Sequence, residues 1–333
     1  MTRCISGRYL FLILIYCAAI VNASAGDRSQ PFQDCLQLCD AQRCRPENDR
    51  QLSFFRLTRW TCLDDCKYTC THLMTDMDEA DGKPVLQYYG KWPFWRLWGM
   101  QEPASVLFSV GNLWVHMSGH RTVKKLVPIG HPMRDYLVYW SWVSMNAWIW
   151  SSVFHTRDTP TTERWDYFSA ALAILSALQF TVSRFFFVGR PRRRLLHKLW
   201  TVGCILTYLA HVTYLYLLPR FDYSYNILFN LIIGLAHNLL WVLYSLPSSL
   251  TVLRRFPPSA VSRKYRPDFA QGAAVCVGLT MAAMSLELLD FPAVWRVLDA
   301  HALWHAATIP ISSLWYKFLI KDALDDGWKI SRL

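Results

Sequence analysis

Seven stretches of the chain are apolar over a spanning length, at roughly 103–120, 134–155, 165–188, 195–217, 224–246, 268–290 and 297–320. A helix needs about twenty such residues to cross the hydrocarbon core of a bilayer. The pattern predicts an all-α membrane protein, a seven-transmembrane helix bundle over 102–320. Its first span is the shortest and carries Asn112 and His116. Ahead of the bundle, Arg3 and Arg8 precede an apolar run from Tyr9 to Val21 and the small residues Ala23-Ser24-Ala25. That is the signature of a signal peptide over 1–25. An uncleaved first helix is the alternative, and the shortness of the apolar run counts against it. The sequon Asn22-Ala23-Ser24 falls inside the segment to be removed. Residues 26–101 form a polar, cysteine-rich region, and 321–333 a short tail.

Loop charges orient these spans. Arg121, Lys124, Lys125 and Arg134 follow the first, a basic run from Arg184 to Lys198 follows the third, and Arg254, Arg255, Arg263, Lys264 and Arg266 follow the fifth. These loops hold fifteen basic residues, against four (Arg157, Arg164, Arg220, Arg296) in the alternate loops. The positive-inside rule places the first set in the cytosol, the cysteine-rich region in the lumen and the tail in the cytosol. The signal peptide implies the same orientation independently. A hydrophobic content of 53% with 18% charged residues agrees with a membrane protein. The modest mean hydropathy of +0.13 reflects charges bunched in the first hundred residues and in short basic patches. For the same reason the net charge of +11 does not point to nucleic acid, since the basic residues sit between apolar stretches.

Cysteine usage fits an oxidising compartment. Six of the ten cysteines lie between Cys35 and Cys70, as Cys35-x3-Cys39-x4-Cys44 and Cys62-x3-Cys66-x3-Cys70. Such spacings put successive cysteines on one helical face, so two short helices stapled together would satisfy them. The order alone does not choose among the fifteen connectivities. A zinc cluster is the competing reading, disfavoured by the lack of any CxxC pair.

Candidate chemistry collects at the lumenal ends of the spans. The second ends on Ser151-Ser152-Val153-Phe154-His155, the third begins near Asp166, and the seventh begins with Asp299, His301 and His305. His301-x3-His305 sets two imidazoles one helical turn apart on one face, suited to one metal ion, with His155 as third ligand. Three protein ligands leave a fourth position open on tetrahedral zinc, as catalytic sites require, and such an ion lowers the pKa of water towards 7. Taken alone, an i,i+4 histidine pair is more often structural. The shared membrane level of the two spans raises the metal reading. Asp166 is the candidate general acid or base, and Ser151 a candidate donor to a substrate carbonyl or else a packing hydroxyl. Glu287, Asp290 and Asp299 are candidate partners of the histidines, whereas His116, His211 and His237 are read as packing residues. The HxxxH pair lacks the glutamate of soluble zinc proteases.

Ser-x3-His, Asp and His-x3-His over seven spans resemble a superfamily of membrane hydrolases that includes alkaline ceramidases and adiponectin and progestin receptors. Longer runs are similar to one family within it, the Per-like (post-GPI-attachment to proteins factor 3) family. These are Trp60-Thr-Cys-Leu-Asp-Asp-Cys-Lys-Tyr-Thr-Cys70, Gly90-Lys-Trp-Pro-Phe94, Gln101-Glu-Pro-Ala-Ser105, Asn146-Ala-Trp148, Ser152-Val-Phe-His-Thr-Arg-Asp-Thr159, Phe221-Asp-Tyr-Ser-Tyr-Asn226 and Leu286-Glu-Leu-Leu-Asp-Phe-Pro292. The resemblance covers essentially the whole mature chain and implies a phospholipase A2-type hydrolase that removes the unsaturated sn-2 acyl chain from GPI-anchored proteins. It implies zinc on His155, His301 and His305, catalytic roles for Asp166 and Ser151, and a Golgi or endoplasmic reticulum membrane. A lipid-binding receptor or cargo scaffold with a structural metal site, and a ceramidase-like amidase, remain alternatives. Turnover separates the first from the hydrolase, and amide against ester cleavage the second. A metal transporter is disfavoured because the polar cluster stays at one end of the bundle.

Overall fold

A computed structural model describes residues 25–44, 58–287 and 289–329. The expected signal peptide, all but Ala25, and its sequon lie outside the described residues. Nine α-helices make up most of the regular structure of the described residues, beside short 3-10 and π turns and isolated β-bridges such as that of Tyr88 with Lys91. The chain divides into two compact units, the described part of Met1–Gly99 with Pro292–Val297, and Met100–Phe291 with the described residues from Leu298 onward.

The smaller unit is built on α1 (Gln30–Arg43) and α2 (Cys62–Ala80). Thr61 starts α2 with a reciprocal cap, its hydroxyl accepting the Asp64 N–H while the Asp64 carboxylate accepts that of Thr61. Disulfides join Cys35 to Cys70, Cys39 to Cys66 and Cys44 to Cys62. The partners run in opposite order, so the helices lie antiparallel with one cysteine face against the other. The zinc-cluster reading is thereby overturned, because all six thiols are consumed. The apolar centre consists of Phe32, Cys70 and Tyr88 with a few half-buried neighbours, too small to hold a fold unaided.

The larger unit contains α3 (Pro103–Leu126), α4 (Arg134–Thr156), α5 (Pro160–Val182), α6 (Arg194–Leu217), α7 (Tyr223–Ser245), α8 (Gln271–Glu287) and α9 (Ala300–Ala323). A π turn, Ser183–Phe187, extends α5, and a 3-10 turn, Asp268–Ala270, leads into α8. Among the described residues, four segments are long and apolar enough to cross a membrane: Pro160–Phe187, Arg194–Leu217, Tyr223–Ser245 and Asp268–Glu287. The three remaining helices are as long, but they carry Ser109, Asn112 and His116, Ser141, Ser151 and His155, and His305, all buried inside the unit.

Helix α3 packs against α4 and α9. Two glycines of α3 face α9 with no room for a side chain: an added Cβ would stand 2.7 Å from Ile309 at Gly111 and 2.5 Å from the Tyr316 ring at Gly119. Beside it the Tyr316 hydroxyl bonds to His116 Nδ1 at 2.9 Å. At the opposite end of α9 from the histidines, Arg184 in the π turn forms a bidentate pair with Asp322 at 2.7 and 2.5 Å and donates to the Arg255 carbonyl. Tyr244 also donates to Asp322, at 2.7 Å. Arg184 and Arg255, counted among loop charges in the sequence, are thus buried structural cations.

Candidate metal centre

His155 sits in the last turn of α4, where two backbone bonds strap the start of α3 to it. Gln101 N–H donates to the Thr156 carbonyl and Glu102 N–H to that of His155, each at 3.0 Å. Pro103 opens α3 directly afterwards, needing no backbone donor of its own. This strap brings the Glu102 carboxylate to 2.7 Å from His155 Nδ1, with both side chains buried.

Helix α9 begins under an Asp299 cap, whose Oδ1 accepts the Ala302 N–H at 2.8 Å. His301 and His305 then fall on one face. His301 Nδ1 lies 2.9 Å from both oxygens of Glu287, the last residue of α8. His305 Nδ1 lies 2.9 Å from Ser109 Oγ on α3, and Ser109 Oγ lies 3.0 Å from Ser151 Oγ on α4. Asn112 fixes the backbone here, donating to the His305 carbonyl at 2.8 Å.

Each of the three rings therefore has an oxygen partner at Nδ1, which leaves its Nε2 available to a ligand. One ligand atom from each lies within 4.8 Å of the other two, and ring centroids are 4.6–5.1 Å apart. His155 Nε2 and His301 Nε2 are separated by 3.3 Å. A His301 protonated beside Glu287 would donate across this contact; with single protons on Nδ1, facing Glu102 and Glu287, both Nε2 lone pairs are free for a shared cation. Two nitrogens bound to tetrahedral zinc stand about 3.3 Å apart, so the spacing fits that ion. His155 and His305 are 2% exposed, while the His301 side chain is 34% exposed, so the cluster opens on the His301 side.

Residues 53–323 match the Per1-like family. The chain belongs to that family. It is 38% identical to the human GPI-specific phospholipase A2-like PGAP3 over 318 residues, covering 94% of this chain and 93% of the relative. The Xenopus laevis protein of the same name is 37% identical, covering 94% of each chain. The Protein PER1 homolog of Schizosaccharomyces pombe is 37% identical, covering 90% and 88%. No solved structure matches the chain.

In this Per1-like chain the three expected histidines come together, and Ser151 joins them through Ser109. Asp166 lies half-buried in the second turn of α5. Of the carboxylates proposed as partners, Glu287 bonds to His301, Asp299 caps α9, and Asp290 is exposed. His116 and His237 bond to Tyr316 and Thr181, and His211 stacks on Phe229. Sequence reasoning missed Glu102 and Ser109. Glu102 was visible as a carboxylate beside the start of an apolar helix, the criterion that selected Glu287. Ser109 carries no comparable signal, because a single serine in an apolar helix is commonplace.

Proposed function

We propose that this chain is a zinc-dependent hydrolase of phospholipase A2 type that removes the sn-2 acyl chain from the lipid of GPI-anchored proteins. The observation that carries this reading is the set of three oriented imidazoles, each with Nδ1 engaged by Glu102, Glu287 or Ser109 and Nε2 available to a ligand. Carboxylate–histidine pairs of this kind fix the tautomer and raise the basicity of a metal ligand. The names of the relatives supply the substrate class.

His155, His301 and His305 would hold the ion, which when bound supplies Lewis acidity towards an ester carbonyl and towards water. The chain's hydroxyls have a direction. If His305 donates from Nδ1, Ser109 accepts there and donates to Ser151, so the Ser151 hydrogen is left for the sn-2 carbonyl oxygen. Asp166 takes the proton of the attacking water and returns it to the departing glycerol oxygen. Water oxygen then bonds to the carbonyl carbon as the ester C–O bond breaks, giving a lysolipid anchor and a free fatty acid.

Seven spans, a lumenal cysteine-rich region and a cytosolic C-terminus belong to the same proposal, with the signal peptide over 1–25, residues 26–101 lumenal, the bundle over 102–320 and the tail over 321–333. The centre would then face the leaflet where GPI anchors reside, in the Golgi or the endoplasmic reticulum. The test uses cells lacking the protein, re-expressing wild type or His305→Ala, with the sn-2 chains of surface GPI anchors read by mass spectrometry. Remodelled chains are expected with wild type alone. Remodelling by both would remove His305 from the reaction, and remodelling by neither would favour a receptor or scaffold.

A further inference from the structure

The cysteine-rich unit displays two tryptophans at a conformational cost. Trp98 and Trp295 are 73% and 81% exposed, and their φ angles of 50° and 54° lie in the left-handed region that bulky residues avoid. Arg296, next to Trp295, has φ 57°, so two successive non-glycine residues hold this conformation. Such strain persists only where the surroundings enforce it.

The enforcement is explicit. The Arg296 carbonyl accepts the Trp95 N–H at 2.9 Å, which pins the 295–296 turn against the extended segment leading to Trp98. The Arg296 guanidinium reaches into the unit, donating to His72 Nδ1 at 3.0 Å, Asp76 at 2.6 Å and Glu79 at 2.7 Å. On the other turn the Trp60 indole N–H donates to the Gly99 carbonyl at 2.8 Å. Each clamp draws polar groups inward and leaves its tryptophan outside. Trp95, Leu97 and Val294, exposed by 44–47%, lie in the same two segments and add apolar surface beside the two indoles.

We infer that these two turns are a membrane-surface face, with Trp98 and Trp295 seated in the headgroup region of a phospholipid bilayer. Indole suits that layer, having a large apolar body and one N–H that remains hydrated. Chain connectivity selects the bilayer over other occupants. Trp295 follows Glu287, the last residue of the membrane-length helix α8, by eight positions, and Trp98 precedes Pro103 of α3 by five. Eight residues span at most about 28 Å even when extended, so Trp295 cannot leave the neighbourhood of an interface reached by α8. Leu97 and Val294 beside the indoles favour lipid over a sugar, which would want hydrogen-bonding side chains around the ring. The inference rests on the membrane-spanning reading proposed above, and independently of it on the two clamped turns.

The full chain in phospholipid nanodiscs, with Cys204→Ala and Cys276→Ala, is given a nitroxide at Trp98→Cys, Trp295→Cys, Val275→Cys or Lys83→Cys. Collision with dissolved oxygen is compared with collision with a water-soluble nickel chelate. The oxygen-to-nickel ratio at positions 98 and 295 is expected to be several-fold above that at Lys83, an exposed site on the same unit. A ratio equal to that at Lys83 overturns the inference. So does nickel access that only a mannose oligosaccharide blocks, which would make the face a glycan site. Val275, exposed on α8, separates the two failures: an aqueous ratio there would refute spanning by α8 itself. Because the cysteine variants alter strained turns, the unaltered chain is also photolabelled with a phospholipid carrying a carbene precursor at the glycerol level. Adducts on the peptides containing Trp98 and Trp295 are expected, and their absence while α8 is labelled refutes the inference.

Discussion

Glu102 is the residue on which the metal reading is most open to attack. Its carboxylate approaches His155 Nδ1 to 2.7 Å with almost no solvent between, so Glu102→Gln keeps the shape and removes the charge. Zinc affinity is expected to fall about 10–100-fold, as for other outer partners of metal-bound imidazoles. Chelator competition on the purified protein measures it, and an unchanged affinity would leave Glu102 as a strap residue only. His72, in the cysteine-rich unit, invites a pH experiment. Its Nε2–H donates to the Phe94 carbonyl at 3.1 Å and its Nδ1 accepts from Arg296 at 3.0 Å, a neutral tautomer stacked on Trp95. Burial, reinforced by the Arg296 charge and opposed by the Phe94 bond, lowers its pKa to about 4 from 6.5. The unfolded chain therefore binds the extra proton first, and the unit loses stability as pH falls from about 6.5 to 4, with no further change on either side. Hydrogen exchange of the α2 amides against pH, corrected for intrinsic rates, should show this loss in wild type and a flatter profile in His72→Gln.

At the scale of elements, the contact between α3 and α9 brings Ser109 to His305, and Gly119 is a position where that contact leaves no room for a methyl group. Gly119→Ala would place a methyl 2.5 Å from the Tyr316 ring, which is itself held by His116, so the ring cannot simply turn aside. Overpacking of this kind costs about 1–3 kcal/mol, and a lower melting temperature in detergent is expected, with weakened zinc binding if α9 shifts. The Arg184–Asp322 pair closes the other end of α9. Asp322→Ala strands a buried guanidinium, for which a loss of about 3–5 kcal/mol is expected, and Arg184→Met with Asp322→Leu should recover much of it in the same melting assay. Helix positions were legible beforehand because apolar length and turn residues are local. The fate of Arg184 and Arg255 was not, since a charge count cannot tell a solvated cation from one folded back onto carbonyls. Likewise the histidine triad was legible from helical spacing and span ends, whereas Ser109 depends on a contact 196 residues away.

For the whole molecule the open point is whether α3, α4 and α9 cross the membrane with the four more apolar segments. Hydropathy treats every polar side chain as a cost, whether or not it is satisfied. Here Ser109, His116, Ser151, His155 and His305 are buried and bonded to one another or to neighbours, so they present little polarity to lipid. Their helices instead turn outward Leu107, Val110 and Trp114, Tyr139, Trp142 and Ile149, and Leu314, all at least 41% exposed. With 23 or 24 residues each, they reach about 35 Å at 1.5 Å per residue, enough for a hydrocarbon core of about 30 Å. Two loop positions separate the topologies. With seven spans, Lys83 is lumenal and Ile129, after α3, is cytosolic; if only the four crossed, both would lie on one side. Cysteines placed at Lys83, Ile129, Arg220 and Ser259 are therefore to be probed with an impermeant maleimide after selective opening of the plasma membrane. Ile129 and Ser259 are expected to react at once, and Lys83 and Arg220 only when internal membranes are opened. Should Ile129 behave like Lys83, the bundle has fewer spans, and the histidine centre would have to be explained without a fully membrane-embedded scaffold.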